Sequence, residues 1–292
     1  MSNDFKMFNK KYLCEKRLPM KKLFAKVESE IFNNSFYIQL DDEEVLNIVQ
    51  DLLYPHIKLI NGDVDVKKDE LFEIKKTTCY EITFNEKKIK IEKADIYSSL
   101  QCILFNHISL REDIILLHGA IVKRNDKLYA LLGASGAGKS TLAAYLCSNG
   151  YEFICDDKFC INVSSLKVTP FSRNLMLREN SVLLLRKKNN IKTEPILWGD
   201  YKRDSVISFK NGKAEGEIIA LFISRDDINW SNYIYEDSYL IEAKKMMSNL
   251  YITNNKMADK IQKCIMISKK IRGYNIVYSS LDVAKNMIDD IT

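Results

Sequence analysis

At 292 residues, with 46% hydrophobic and 28% charged residues, the chain has an ordinary globular composition and is long enough for one large domain or two smaller ones. A net charge of +5 is too mild for a dedicated nucleic-acid binder, and no apolar run approaches the roughly 20 residues that span a bilayer, so neither nucleic acid nor membrane is an expected partner. The seven cysteines are odd in number and form no C-x-x-C pair; together with an N-terminus lacking the apolar stretch of a secretory signal, they lead us to expect reduced thiols in a cytoplasmic protein.

Residues 1–26 are rich in basic side chains (Lys10, Lys11, Lys16, Arg17, Lys21, Lys22 and Lys26), which reads either as a solvated terminus or as an arm for an acidic peptide. Ser35–Leu40 alternates as a strand does. Asp41 or Asp42 stands where it would cap a helix carrying Val45, Leu46, Ile48, Val49, Leu52 and Leu53, which Pro55 ends. After a polar turn at Asn61–Asp69, the segments Phe72–Ile74, Thr78–Phe84 and Lys88–Ile91 predict a meander turning at Asn85-Glu86. Tyr97–Ile108 predicts a helix. No chemical motif precedes residue 110, so residues 1–110 are expected to be an accessory or substrate-binding α+β lobe, and 111–292 the core that carries the chemistry.

Asp113–Leu117 predicts a short apolar strand, followed by His118-Gly119, a strand over Ala120–Lys123, a turn at Arg124-Asn125-Asp126 and a strand over Lys127–Leu132. This order sets His118 on a strand beside the one that enters the next segment. A single histidine in an apolar run is either a satisfied core residue or a group aimed at that segment. The segment itself, Gly133-Ala134-Ser135-Gly136-Ala137-Gly138-Lys139-Ser140, fits G-x-x-x-x-G-K-[ST]. Its glycines let successive backbone N–H groups converge on a phosphate; Lys139 is expected to reach the β- and γ-phosphates, and the Ser140 hydroxyl to face Mg²⁺. A helix over Thr141–Cys147 adds its positive end, and Ser148-Asn149-Gly150 closes it. The motif in this context implies a nucleoside triphosphate as ligand.

Tyr151–Cys155 predicts a strand ending in Asp156-Asp157. Neighbouring strand residues face opposite ways, so one aspartate can serve the phosphate side while the other meets a second group. Alone the pair reads equally well as a polar strand end; one helix and one strand after a phosphate loop, it becomes a candidate for Mg²⁺ binding and base catalysis. Beyond it, Phe159–Val163 and Lys167–Pro170 predict strands, and Ser172–Glu179 a loop entering a helix. Arg173 and Arg178 in that loop are either solvated or placed to stabilise a transferring phosphate. Leu184–Asp204 is read as a mobile substrate-facing loop, and Val206–Phe209 and Glu217–Ser224 as strands about a turn at Asn211-Gly212, with Arg225 following. Glu242–Leu250 and Lys256–Ile271 predict helices in which Met246, Met247, Met257 and Met266 fill the core. Asn255-Lys256-Met257-Ala258-Asp259 has one residue too many for the guanine-reading N-K-x-D, and no D-x-x-G segment accompanies it, so a switch GTPase is not expected.

His118-Gly119, the loop Gly133–Ser140, Gly150 and Asp156-Asp157, in that order and spacing, resemble the catalytic core of HPr kinase/phosphorylase and its relatives, a superfamily that includes ATP-dependent phosphoenolpyruvate carboxykinase. Tyr274–Met287 resembles the strand-then-helix close of HPr-kinase-like proteins in peptide-modification clusters. The resemblance implies a mixed central sheet with a phosphate loop, and ATP and Mg²⁺ as cofactors. It also implies Asp156 as the base on a substrate hydroxyl, Asp157 and Ser140 on the Mg²⁺, and His118 near the γ-phosphate and Asp156. Gly133 to Thr141 would cradle the nucleotide. The implied reaction is ATP-dependent phosphorylation of a serine or threonine in a peptide or small protein, such as a ribosomally made peptide being tailored. Thr141 stands where family kinases often carry a glutamate, and no arginine-containing signature of the bifunctional enzymes is found, so phosphorylase activity and HPr as acceptor stay open. An amino-acid kinase, an ATPase switch and a nucleotide-holding module remain as rivals, and homo-oligomerisation stays open.

Overall fold

A computed structural model describes residues 23–28, 35–53, 55–60, 71–84, 87–109, 111–171, 175–189, 193–195, 203–206, 209, 212–224, 232–251 and 257–291. The basic arm before Leu23, the turns at Asn61–Asp69 and Asn85-Glu86, Arg173, most of 190–202, Asn211, Arg225 and the Asn255-Lys256 pair lie outside the described residues.

The N-terminal lobe is built on β1 (Leu23–Val27), β2 (Phe36–Leu40), β3 (Ile57–Ile60), β4 (Leu71–Lys76), β5 (Tyr80–Phe84) and β6 (Lys87–Ile91), in the order β3-β1-β2-β4-β5-β6. The β4-β5-β6 meander is antiparallel, as the alternation predicts. Helix α1 (Glu43–Leu53) begins where Asp42 accepts the Glu44 N–H at 2.9 Å, and it buries Val45, Ile48, Val49, Leu52 and Leu53 against the sheet. Helix α2 (Ile96–Ser109) joins the same core through Ile96, Leu100, Leu104, Phe105 and Ile108. That core does not stop at residue 110: it takes in Ile114, Leu116, Cys160 and Phe171. The lobe is thereby fastened to the segments that carry the candidate chemistry.

After α2 the chain forms β7 (Ile114–His118), β8 (Ala120–Arg124), β9 (Lys127–Leu132), helix α3 (Lys139–Ser148), β10 (Glu152–Cys155), β11 (Lys158–Asn162) and β12 (Val168–Pro170). It continues with β13 (Leu175–Arg178), α4 (Glu179–Asn189), β14 (Thr193–Pro195), β15 (Arg203–Val206), β16 (Glu217–Ser224), β17 (Tyr233–Glu236), α5 (Tyr239–Met247), α6 (Met257–Ser268), β18 (Arg272–Val277) and α7 (Leu281–Asp290). The central sheet runs β10-β8-β9-β16-β18-β17 and is mixed: β9-β16 and β16-β18 are parallel, the other pairings antiparallel. Along β9, Leu128, Ala130 and Leu132 face one core with α5 and α6, while Tyr129 and Leu131 face another with α3, α4 and α7. Burial on both faces is why this strand reads as an unbroken apolar run. The β8-β9 turn places Asn125 and Asp126 at φ of 50° and 58°, the left-handed geometry of a tight hairpin.

Several expectations are corrected. His118 ends β7, which pairs with β11 in a separate three-stranded sheet, β12-β11-β7; the strand beside β9 is β8. Gly119 makes the break between β7 and β8, because a side chain there would collide with the Leu131 carbonyl. Residues 175–178 form a strand rather than a loop, and the described part of Leu184–Asp204 is the end of α4 with β14 and β15, forming the small sheet β13-β15-β14. Val182 and Leu185 fix α4 to the core, which the surrounding charges concealed. Val206 ends β15 and so belongs to that small sheet instead of pairing with β16. Met246 is core, but Met257 and Met266 are exposed. The six described cysteines are free thiols, and no helix among the described residues is long and apolar enough to cross a membrane.

Candidate functional site

The site is assembled at three adjoining chain breaks: the β9-α3 loop, the β10-β11 turn and the end of β7. The loop from Gly133 to Gly138 uses φ values of 150°, 83° and 93° at Gly133, Gly136 and Gly138. At Gly133 a side chain would strike the Ile223 carbonyl of β16, so close packing as well as backbone conformation demands glycine there. Gly138 is the N-cap of α3, whose first N–H groups and positive end face the cavity in front of it.

Lys139 is 7% exposed, and its Nζ donates to the carbonyls of Gly133 at 2.8 Å and Ala134 at 3.0 Å. Burial pushes its pKa down, opposed by the charges of Asp156 and Asp157. Ser140, next along the helix, donates to Asp156 Oδ1 at 2.9 Å. Asp156 is 5% exposed and also receives the Met176 N–H at 3.4 Å. Burial first, and then the neighbouring Asp157 charge, push its pKa up to about 6.

Asp157 occupies the turn with φ of 76°, a left-handed conformation that an aspartate tolerates better than most residues. Its main-chain oxygen accepts the Gly119 N–H at 3.1 Å. Its carboxylate is held on both oxygens. Oδ2 accepts from Gln101 Nε2 at 2.8 Å and Lys158 Nζ at 2.9 Å, and Oδ1 lies 3.1 Å from His118 Nδ1. Burial opposes ionisation, yet His118 and Lys158 hold this carboxyl well below the usual range. His118 and Asp157 keep side-chain exposures of 42% and 35%, so this pair stands at the mouth while Asp156 lies deep.

The partners therefore differ from those the resemblance implied. Ser140 is on Asp156 where Asp157 was expected, and His118 is on Asp157 where Asp156 was expected. His118, Ser135, Gly136, Gly138, Lys139, Ser140, Thr141, Asp156 and Asp157 line one cavity of about 350 Å³. Arg178 lines it too. Gly133, Ala134 and Ala137 form the loop behind that lining.

Other residues of the site carry no motif. Tyr97, Asn180 and Ser181 line the cavity, and Ser181 exchanges a 2.8 Å hydrogen bond with Thr141. Asn249, buried just after α5, accepts the Gly133 N–H through Oδ1 at 2.9 Å and the His118 N–H through its main-chain oxygen at 2.7 Å. Lys158 is buried against the rings of Phe105 and Tyr251, 5.1 and 5.4 Å away. The signal for Lys158 was its adjacency to the aspartate pair; Gln101 and Asn249 left none. A second cavity of about 460 Å³ shares Gly138, Thr141, Asn180 and Ser181 with the first and adds Ala137, Leu184, Tyr278 and Leu281.

No protein-family model matches the sequence, and no curated protein matches it. Among solved structures, the chain is similar to the Hpr(Ser) kinase/phosphatase from Coxiella burnetii at 10% sequence identity and a TM-score of 0.27, over 60% of this chain and 95% of that one.

Proposed function

We propose that this chain is an ATP-dependent phosphotransferase that moves the γ-phosphoryl group to a serine or threonine hydroxyl of a peptide or small protein. One observation carries the reading: a glycine loop, its lysine, its serine, two aspartates and a histidine face a single cavity at the positive end of α3. The nucleotide's phosphates fit against the loop, and the second, more apolar cavity beyond Gly138 suits the nucleoside.

The residues fit Mg²⁺. Ser140 and Asp156 present adjoining hard oxygen donors, and Asp156 is a buried carboxylate with no cationic side chain bonded to it among the described residues. Among the described residues no group of three or more His, Cys, Asp or Glu side chains is arranged as a metal cage, which suits an ion that keeps waters and phosphate oxygens as ligands. Bound there, Mg²⁺ would neutralise charge on the β- and γ-phosphates.

In this reading the acceptor oxygen bonds to the γ-phosphorus as the bond to the β-γ bridging oxygen breaks, and ADP leaves. Lys139 moves from the loop carbonyls onto the phosphates and stabilises the charge that develops. The acceptor's proton passes to the half-buried His118, whose Nδ1 is held by Asp157, because the base must reach the hydroxyl and this pair is less buried than Asp156. Asp156, with Ser140, would hold the metal.

The test is incubation with Mg-ATP and candidate peptides, read by mass spectrometry for a phosphate adduct, with free serine at millimolar concentration as comparison. A phosphorylated peptide serine or threonine, with free serine far poorer, is the expected result. ADP release without an adduct would establish an ATPase switch instead, and equal efficiency on free serine a small-molecule kinase.

A further inference from the structure

Helix α2 belongs to the N-terminal lobe, yet one of its faces points at the candidate site. Tyr97, Gln101 and Phe105 are spaced four apart and so form one stripe along the helix. Tyr97 lines the phosphate cavity. Gln101 donates to Asp157 Oδ2 at 2.8 Å. Phe105, 1% exposed, lies under the Lys158 ammonium that donates to the same oxygen. The stripe thus touches the site at three levels, from its mouth to its base.

We propose that Gln101 is a positioning residue for phosphoryl transfer and that the N-terminal lobe, through Tyr97 and Gln101, forms the acceptor side of the site. This rests on the phosphotransferase reading above. Asp157 sits at a left-handed turn position with a carboxylate that can rotate about its side-chain bonds. Two donors converge on Oδ2, one from α2 and one from β11, and together they leave Oδ1 directed at His118 Nδ1. Lys158 alone, adjacent in the chain, fixes one contact; Gln101 supplies the second from another element and removes the remaining freedom. Tyr97, one turn earlier, lines the same cavity as that carboxylate and in this proposal serves the acceptor. The hydrogen bond of Gln101 goes to Asp157 and not to the phosphate loop or Ser140, so its effect is expected in the acceptor half of the proposed reaction.

The experiment compares Gln101→Met, which keeps the volume and removes the donor, with Gln101→Lys, which restores a donor, and with Tyr97→Ala. Partners that orient a functional ligand typically cost about 10- to 100-fold when lost. Gln101→Met is expected to lower kcat by about that factor, with KM for ATP and the melting temperature unchanged, and Gln101→Lys to recover most of the loss. Tyr97→Ala is expected to raise KM for the peptide and leave KM for ATP alone. Wild-type kcat in Gln101→Met would overturn the assignment, as would equal losses in both Gln101 variants that track a lowered melting temperature. Should the wild-type protein transfer no phosphate to any acceptor, the parent reading fails, and this inference fails with it.

Discussion

The Ser140 hydroxyl donates to Asp156, the deeper of the two adjacent aspartates, at 2.9 Å. The serine after the loop lysine is the side chain that faces the cation in phosphate loops, so this contact divides the aspartates by depth. Asp156→Asn should raise the Mg²⁺ requirement, whereas Asp157→Asn should bind Mg-ATP almost normally while turnover collapses. Calorimetry of nucleotide binding and Mg²⁺ titration of the rate check both arms. The opposite pattern would return the base role to Asp156.

Lys139→Ala should lower phosphoryl transfer by at least about 100-fold, the usual worth of one charge contact made to the transition state. The Lys139 ammonium bonds two loop carbonyls, which a bound phosphate must replace, so the lysine adds little to ground-state affinity. Steady-state kinetics should accordingly show the loss in kcat, with a modest change in KM for ATP. A near-wild-type rate would show that this loop is not the phosphate site.

Gly119 separates β7 from β8, and a Cβ there would stand 2.6 Å from the Leu131 carbonyl and 2.9 Å from a Leu132 methyl. Gly119→Ala must therefore push the strand end outward, carrying His118 and the Gly119 N–H away from Asp157. Overpacking of this kind costs about 1–3 kcal/mol. We expect a lower denaturant midpoint together with a reduced kcat; a variant of unchanged stability and activity would refute the argument.

Glu242 on α5 is 2% exposed, with one carboxyl oxygen unpartnered, and burial pushes its pKa up to about 7. The Gly273 backbone and Lys245 oppose the shift, while Asp237 and Glu236 reinforce it. The folded state thus holds a proton that the unfolded chain releases near its ordinary value of about 4.3. Stability from this group is present in full below that value and is lost as pH rises through about 7. Glu242→Gln, neutral throughout, should melt higher than wild type at pH 8 and lose that advantage by pH 4.5. Thermal melts across this range decide it, and a constant difference would contradict the assignment.

Local patterns made much of this architecture legible. The loop, the strand before it, the helix after it and the glycine that closes that helix all follow from residues close together in the chain. So do the N-terminal meander and the Asp42 cap. What escaped depends on pairings between distant segments. Nothing around His118 tells that β7 pairs with β11, because an apolar run is equally at home in either sheet. Gln101 and Asn249 are ordinary polar residues on or beside helices, and only the packing of α2 and α5 against the site gives them partners 56 and 116 positions away. Charge hid α4, which Val182 and Leu185 dock.

Asn249 carries a mechanical consequence. The phosphate loop hangs from β9 and His118 from β7, strands of two different sheets with no shared ladder to fix their spacing. One asparagine spans that gap, its amide oxygen on the loop and its main-chain oxygen on the histidine. Its own amide nitrogen is tied to Lys245 on α5. In the phosphotransferase proposed above, the loop and the histidine are therefore gauged against a common strut, so a twist of the central sheet would move both together instead of changing the distance between them.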